Sequence, residues 1–239
     1  NTFTAFLTTL GLISTRAQVC YGNLNVKFGG AYCGMSDAFD GSTHHATEDI
    51  AVMRSLPNMT VIVPSDANST RWATEYSAQH KGPVYLRLSR DVYPDLYSED
   101  TKFECGKGAI VRDGTDVTVI ACGLLVHKAM EAAEIFAQKG ISVRVVDMYS
   151  IKPIDKELIL RCASETGAIV TAEEHNIFGG LGGAVSEVLA WGGAGVPTEF
   201  VGIQDTFTES GPYAQLLAKY GVDSNGVAAG IDKVLARKK

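Results

Sequence analysis

The spacing of apolar positions changes several times along the chain, and each change marks a predicted element. In residues 1 to 20, Phe3, Phe6 and Leu10 recur at intervals of three and four, which predicts a helix with one buried face, interrupted or bent at Gly11. Asn25 to Gly30 reads as a strand ending in glycines, and Ala31 to Phe39 as a loop. Ile50, Met53 and Leu56 return to helical spacing. Thr43 or Thr47 is the candidate N-cap of that helix, and Pro57-Asn58 stops it, because proline lacks the amide donor. A short apolar strand, Thr60 to Val63, and a helix over Ser65 to His80 with Trp72 and Tyr76 on one face follow. Val84 to Leu88 is then a strand that delivers Ser89 and Arg90 at its C-terminal end, where parallel sheets place ligand-binding groups.

From Asp91 to Glu104 hydrophobicity falls and acids, proline and tyrosine dominate. An inter-domain linker is expected here, giving a first domain over 1–92, a linker over 93–106 and a second domain over 107–239. The second part alternates regularly: strands over 115–121, 142–147, 168–172 and 198–203, and helices over 125–139, 155–164, 181–190, 212–220 and 224–237. Such alternation implies right-handed crossovers. The fold class expected is α/β, with two mainly parallel-sheet domains carrying helices on both faces.

Composition narrows the function classes. A net charge of -6 argues against nucleic acid or an anionic membrane surface as the main partner, while leaving room for a local basic site. The five cysteines are scattered, without CxxC or zinc-ligand spacing, and read as reduced thiols of a cytoplasmic protein. No apolar run is long enough to span a bilayer. The first residue is Asn within an apolar stretch, which suggests a fragment or a processed chain whose first sheet lacks a leading strand.

Candidate chemistry concentrates in Asp40 to Asp66, DGSTHHATEDIAVMRSLPNMTVIVPSD. A glycine-containing turn carries Asp40 and the pair His44 and His45. If the helix starts at Thr43, His44 lies in its first turn, where free amides and the positive helix end disfavour imidazolium. A neutral imidazole there is suited to exchanging hydrogen bonds with hydroxyls. Taken alone, the same residues fit a capping aspartate and a histidine satisfied by a backbone carbonyl. The run Glu173 to Val185, EEHNIFGGLGGAV, is a poor match to G-x-G-x-x-G, and its glycines fit close packing better than dinucleotide binding.

The DG(S)TH turn, the EDIAVMRSLPNM helix and the strand ending VPSD together resemble the pyrimidine-domain segment of transketolases, the thiamine diphosphate enzymes that move two-carbon ketol units. GPVYLRLSR and the TFTAF run at residues 2–6 match the same family, and EEHNIFGGLGGAV resembles its C-terminal domain. The resemblance implies that Phe3 and Phe6 wall the cofactor's aminopyrimidine ring. It further implies that His44 bonds the sugar's ketol oxygens as the catalytic histidine, that Asp40 reads a substrate hydroxyl and that Arg90 holds a substrate phosphate. Tyr32 stands where the family usually carries a second phosphate-binding histidine, and Phe39 replaces an acid, so the usual sugar-phosphate preference is open.

The family's activating glutamate precedes the first residue here, and its diphosphate and metal site, for Mg2+ or Ca2+, lies on a separate N-terminal half. The resemblance therefore implies a C-terminal part or subunit that works with an N-terminal diphosphate-binding partner, as a homo- or hetero-oligomer, on small sugars. Two other classes stay open. One is the beta subunit of a 2-oxoacid dehydrogenase or a deoxyxylulose-phosphate synthase, which use the same cofactor; the EDIAVMRSLPNM run favours transketolase. The other is a non-catalytic interaction subunit.

Overall fold

The computed structural model describes residues 1–238. The elements run β1 (Thr2–Phe3), α1 (Thr4–Thr9), α2 (Leu12–Ser14), a π-helical turn (Thr15–Cys20), β2 (Lys27–Ala31), α3 (Asp49–Ser55), β3 (Thr60–Ile62), α4 (Ala67–Gln79) and β4 (Val84–Arg87). Beyond the acidic stretch come β5 (Ala109–Arg112), β6 (Val117–Ala121), α5 (Leu124–Ala137), β7 (Val143–Asp147), β8 (Ser150–Lys152), α6 (Lys156–Thr166) and β9 (Ile169–Asn176). The chain continues with α7 (Leu181–Trp191), β10 (Thr198–Ile203), α8 (Tyr213–Lys219) and α9 (Ser224–Arg237).

These strands form two five-stranded sheets, ordered β1-β2-β4-β3-β8 and β10-β9-β6-β7-β5, parallel except for β8 and β5. The expected two-sheet α/β class is what the chain adopts. Alternation within single strands explains the layering. Val117, Val119 and Ala121 of β6 join a core with α5 and α9, whereas Ile120 points into a second core with Ile159 of α6 and Val185 of α7. That second core also takes Ile50, Met53, Val61 and Val63 from the first sheet's side, so one apolar mass lies against both sheets. Neither β5 nor β8 is expected from sequence. β8 lies beyond the acidic stretch yet completes the first sheet, pairing antiparallel to β3 through Val61–Lys152 and Ile62–Ser150.

Two sequence expectations are corrected. In the first helix the buried side chains are Thr4, Ala5 and Thr8, not the apolar stripe: Phe6 is 37% exposed and Leu10 81%. The short helix packs small residues inward, with Thr4 Oγ1 donating to Ala31 O of β2 at 2.8 Å, and presents Phe6 and Leu10 outward, while Leu7 packs partly buried against the second core. The second correction concerns the helix expected from Thr43. It begins at Asp49, and His44 sits in the preceding turn, where its backbone amide donates to Gly41 O at 2.9 Å. The helix-end argument for a neutral His44 therefore does not apply. Asp66, by contrast, caps α4 with a reciprocal box to Ser69.

Candidate active site

Because β1, β2 and β4 are parallel and in register (Phe3 opposite Ala31, Gly30 opposite Arg87), their C-terminal ends share one edge of the sheet. The residues just past those ends converge there. Phe3 meets Tyr32 edge-on with ring centroids 4.8 Å apart, and Phe6 lies 5.9 Å from Phe3. The His44 ring packs edge-on against both phenylalanines, at 5.6 Å from Phe3 and 5.0 Å from Phe6. Arg90 places its guanidinium 5.4 Å from the Tyr32 ring centre. Five of the six residues singled out from sequence therefore form one cluster. Asp40 sits beside it, exposed, with its amide donating to Asp37 O at 2.9 Å and its charge close enough to Arg90 to favour the charged guanidinium.

The turn carrying Asp40 and His44 depends on Gly41, which has φ +77° and whose added Cβ would lie 2.3 Å from Ser210 Oγ. His44 has Nδ1 3.0 Å from Thr43 Oγ1. With that nitrogen engaged, Nε2 is the one left to exchange a hydrogen bond with a bound hydroxyl or carbonyl. Its neighbour His45 is buried, bonds Thr208 Oγ1 at 2.6 Å through Nδ1, and has its pKa lowered by burial. It is part of the support.

The second half of the chain holds this loop from behind. Arg87, buried at the end of β4, makes a two-armed pair with Asp49 (Nε to Oδ2 2.7 Å, Nη2 to Oδ1 3.0 Å) and also donates to Glu174 O at 2.9 Å. Burial alone raises the Asp49 pKa, but the charge and hydrogen bonds of Arg87 outweigh it and hold the carboxyl below its ordinary range. Glu174 accepts from Met35 N at 2.6 Å and Tyr213 OH at 2.9 Å, and burial pushes its pKa up to about 7. Asn176 N donates to Thr47 O at 2.7 Å. Burial likewise pushes the Cys33 thiol up to about 12, which removes it as a nucleophile near neutral pH.

Asp37 was not identified from sequence. Its side chain is 1% exposed and pairs with Arg90, whose guanidinium side is 55% exposed. No local pattern distinguishes this acid from others in the loop; only the approach of β4's end to residues 32–37 pairs it with Arg90. Two bonds stitch that approach: Cys33 N to Leu88 O at 3.1 Å and Arg90 N to Ser36 Oγ at 3.1 Å.

Models of known families match almost the whole chain: the transketolase pyrimidine binding domain over residues 1–95 and the transketolase C-terminal domain over 106–227. The chain belongs to the transketolase family. It is 43% identical over 215 residues to a putative transketolase C-terminal section of Methanocaldococcus jannaschii, covering 89% of this chain and 67% of that protein. It is 38% identical over 238 residues to a 6-deoxy-6-sulfo-D-fructose transketolase subunit of a Clostridium species, covering 100% of this chain and 74% of that one. A solved split-gene transketolase, an inactive β4 tetramer, superposes with TM-score 0.93 at 45% identity, over 99% of this chain and 76% of its own. The family's domains imply dependence on thiamine diphosphate, and the residues here fit one part of it. The partly exposed Phe6 and half-buried Phe3 offer apolar ring surfaces at the sheet edge, suited to a planar heterocycle. Among the described residues no three His, Cys, Asp or Glu side chains converge as a metal set. Nor is any described helix long and apolar enough to cross a membrane.

Proposed function

We propose that this chain is the C-terminal section or subunit of a thiamine-diphosphate-dependent transketolase, moving a two-carbon ketol unit between small sugars. The observation that carries the reading is the convergence of Phe3, Phe6, Tyr32, His44 and Arg90 at one edge of the first sheet. Thiamine diphosphate, when bound, supplies the carbanion that adds to a ketose carbonyl. Phe3 and Phe6 wall its aminopyrimidine ring, excluding water from one side. His44 Nε2 bonds the ketol oxygens and steadies them as charge develops. Asp40 accepts a hydrogen bond from a substrate hydroxyl, and Arg90 contacts the far end of the sugar. Domain boundaries at 92 and 107 fit this reading, since the clustered residues all lie in 1–92.

Of the remaining parts of the site, the acid that tautomerises the pyrimidine belongs to the part of the pyrimidine domain upstream of Phe3, and the ligands for the diphosphate and Mg2+ or Ca2+ belong to an N-terminal partner half. The working unit is accordingly at least a pair of such assemblies, in the cytoplasm. Titration calorimetry with thiamine diphosphate and magnesium, followed by a ketol-transfer assay with and without the N-terminal partner, tests this. Weak binding and no turnover alone, with both restored by the upstream part of the pyrimidine domain together with the partner, are expected. Turnover by this chain alone, or pyruvate decarboxylation in place of ketol transfer by the assembly, would overturn the reading.

A further inference from the structure

Among the described residues Arg90 is the one Lys or Arg in the site cluster, and it is not free. Its guanidinium is paired with Asp37 and faces the Tyr32 ring, and its backbone amide is fixed to Ser36. Asp37 gains a great deal from this pair. Its side chain is 1% exposed, and its Oδ2 is buried without a hydrogen-bond partner among the described residues, so Arg90 is the group that compensates its charge. A dianion approaching the exposed edge of Arg90 meets a guanidinium whose Nη1 is taken and whose charge is offset by a carboxylate that water cannot reach to screen. The same approach meets Asp40, exposed and close enough to act on Arg90. One cation facing two carboxylates leaves this end of the site with a net negative balance, and Tyr32 contributes a hydroxyl but no charge.

We infer that Asp37 sets the specificity of the distal end of the site, so that the sugar carried there ends in an uncharged hydroxymethyl group and not in a phosphate ester. Resting on the transketolase reading above, the inference adds the substrate class. The geometry suits a neutral terminus. The exposed edge of Arg90 offers N–H donors, Asp40 offers an acceptor, and the hydroxyl of a polyol uses both without displacing Asp37. A phosphate would use the donors but be repelled by both acids.

The test uses the assembly of this chain with its N-terminal partner. Specificity constants for ketol transfer are measured to an aldose and to the same aldose carrying a terminal phosphate, in wild type and in Asp37→Asn. The wild type is expected to use the neutral acceptor at least as well as its phosphate ester. In Asp37→Asn the ratio of phosphorylated to neutral acceptor should rise about ten- to a hundredfold, the worth of a released charge-assisted contact. Inorganic phosphate should compete with the neutral acceptor in the variant and not in wild type. A wild-type preference for the phosphate ester of about tenfold or more, left unmoved by Asp37→Asn, overturns the inference while leaving the transketolase reading intact. Ketol transfer to neither acceptor overturns both. Should Asp37→Asn fail to assemble, Arg90→Ala supplies the second reading: a rise in KM for the phosphate ester alone, by about tenfold or more, counts against the inference, and equal small changes for both acceptors support it.

Discussion

The buried pair of Asp49 and Arg87 joins three parts of the molecule, and its removal gives the largest effect expected outside the hydrophobic cores. Asp49 is fully buried at the start of α3 and accepts Arg87 Nε at 2.7 Å, Nη2 at 3.0 Å and Tyr85 OH at 2.6 Å. Asp49→Leu leaves a buried guanidinium without its counter-charge, at a cost of about 3–5 kcal/mol. For a chain of this length that corresponds to a fall in Tm of roughly 6–20 °C. Arg87→Met should cost a similar amount, because it strands the carboxylate. The double variant Asp49→Leu with Arg87→Met removes both charges and should recover most of the loss. It will not recover all of it, since Glu174 O loses its 2.9 Å donor, worth about 1–3 kcal/mol if left unsatisfied. Thermal unfolding of the two single variants and the double closes the cycle. Because the Asp49 pKa is held down in the folded chain, its contribution should be present above the ordinary carboxylate range and disappear as pH falls through the depressed folded value. Single-variant losses below about 1 kcal/mol, or strictly additive losses in the double, would refute the idea that this pair couples the loop to the two sheets.

Two other buried acids have the opposite sign. Burial pushes both Glu174 and Asp147 up to about 7, so the folded chain binds protons the unfolded chain has released; stability should be greatest near pH 4, decline as pH rises to about 7, and flatten above. Glu174→Gln or Asp147→Asn should each remove part of that slope in melting curves taken across the range, and an unchanged slope in both would contradict the assignment. His44→Ala, in the assembled enzyme, should lower kcat roughly a hundredfold while cofactor affinity stays close to wild type, and unchanged steady-state kinetics would remove His44 from the site. At Gly34, φ is +60° and an added Cβ would lie 2.4 Å from the Glu174 carboxyl carbon, so Gly34→Ala should cost on the order of 2–3 kcal/mol; a melting temperature equal to wild type would show that the loop is not clamped there.

Much of this was legible in the sequence because local chemistry specifies it. Apolar runs such as Val117 to Ala121, the helical spacing over Ser65 to His80 and the stop at Pro57-Asn58 act over a few residues, and the strand, the helix and the helix end they predict lie where expected. Phe3, Phe6, Tyr32, His44 and Arg90 were singled out by the resemblance to the transketolase segments, and parallel pairing brings the strand ends that carry them to one edge. What the sequence could not specify is what depends on partners distant along the chain. The apolar residues of the first helix signal burial, yet Leu10 faces out, because the small side chains Thr4, Ala5 and Thr8 permit closer approach to β2. His44 lies before its helix instead of within it, since the loop from Gly34 to Thr47 is shaped by Glu174, Asn176 and Thr208. β8 completes a sheet whose other strands end at residue 87, and no period within three residues announces that. Asp37 looks like any loop acid until tertiary packing buries it against Arg90, and with that contact the guanidinium's charge is offset from within the protein.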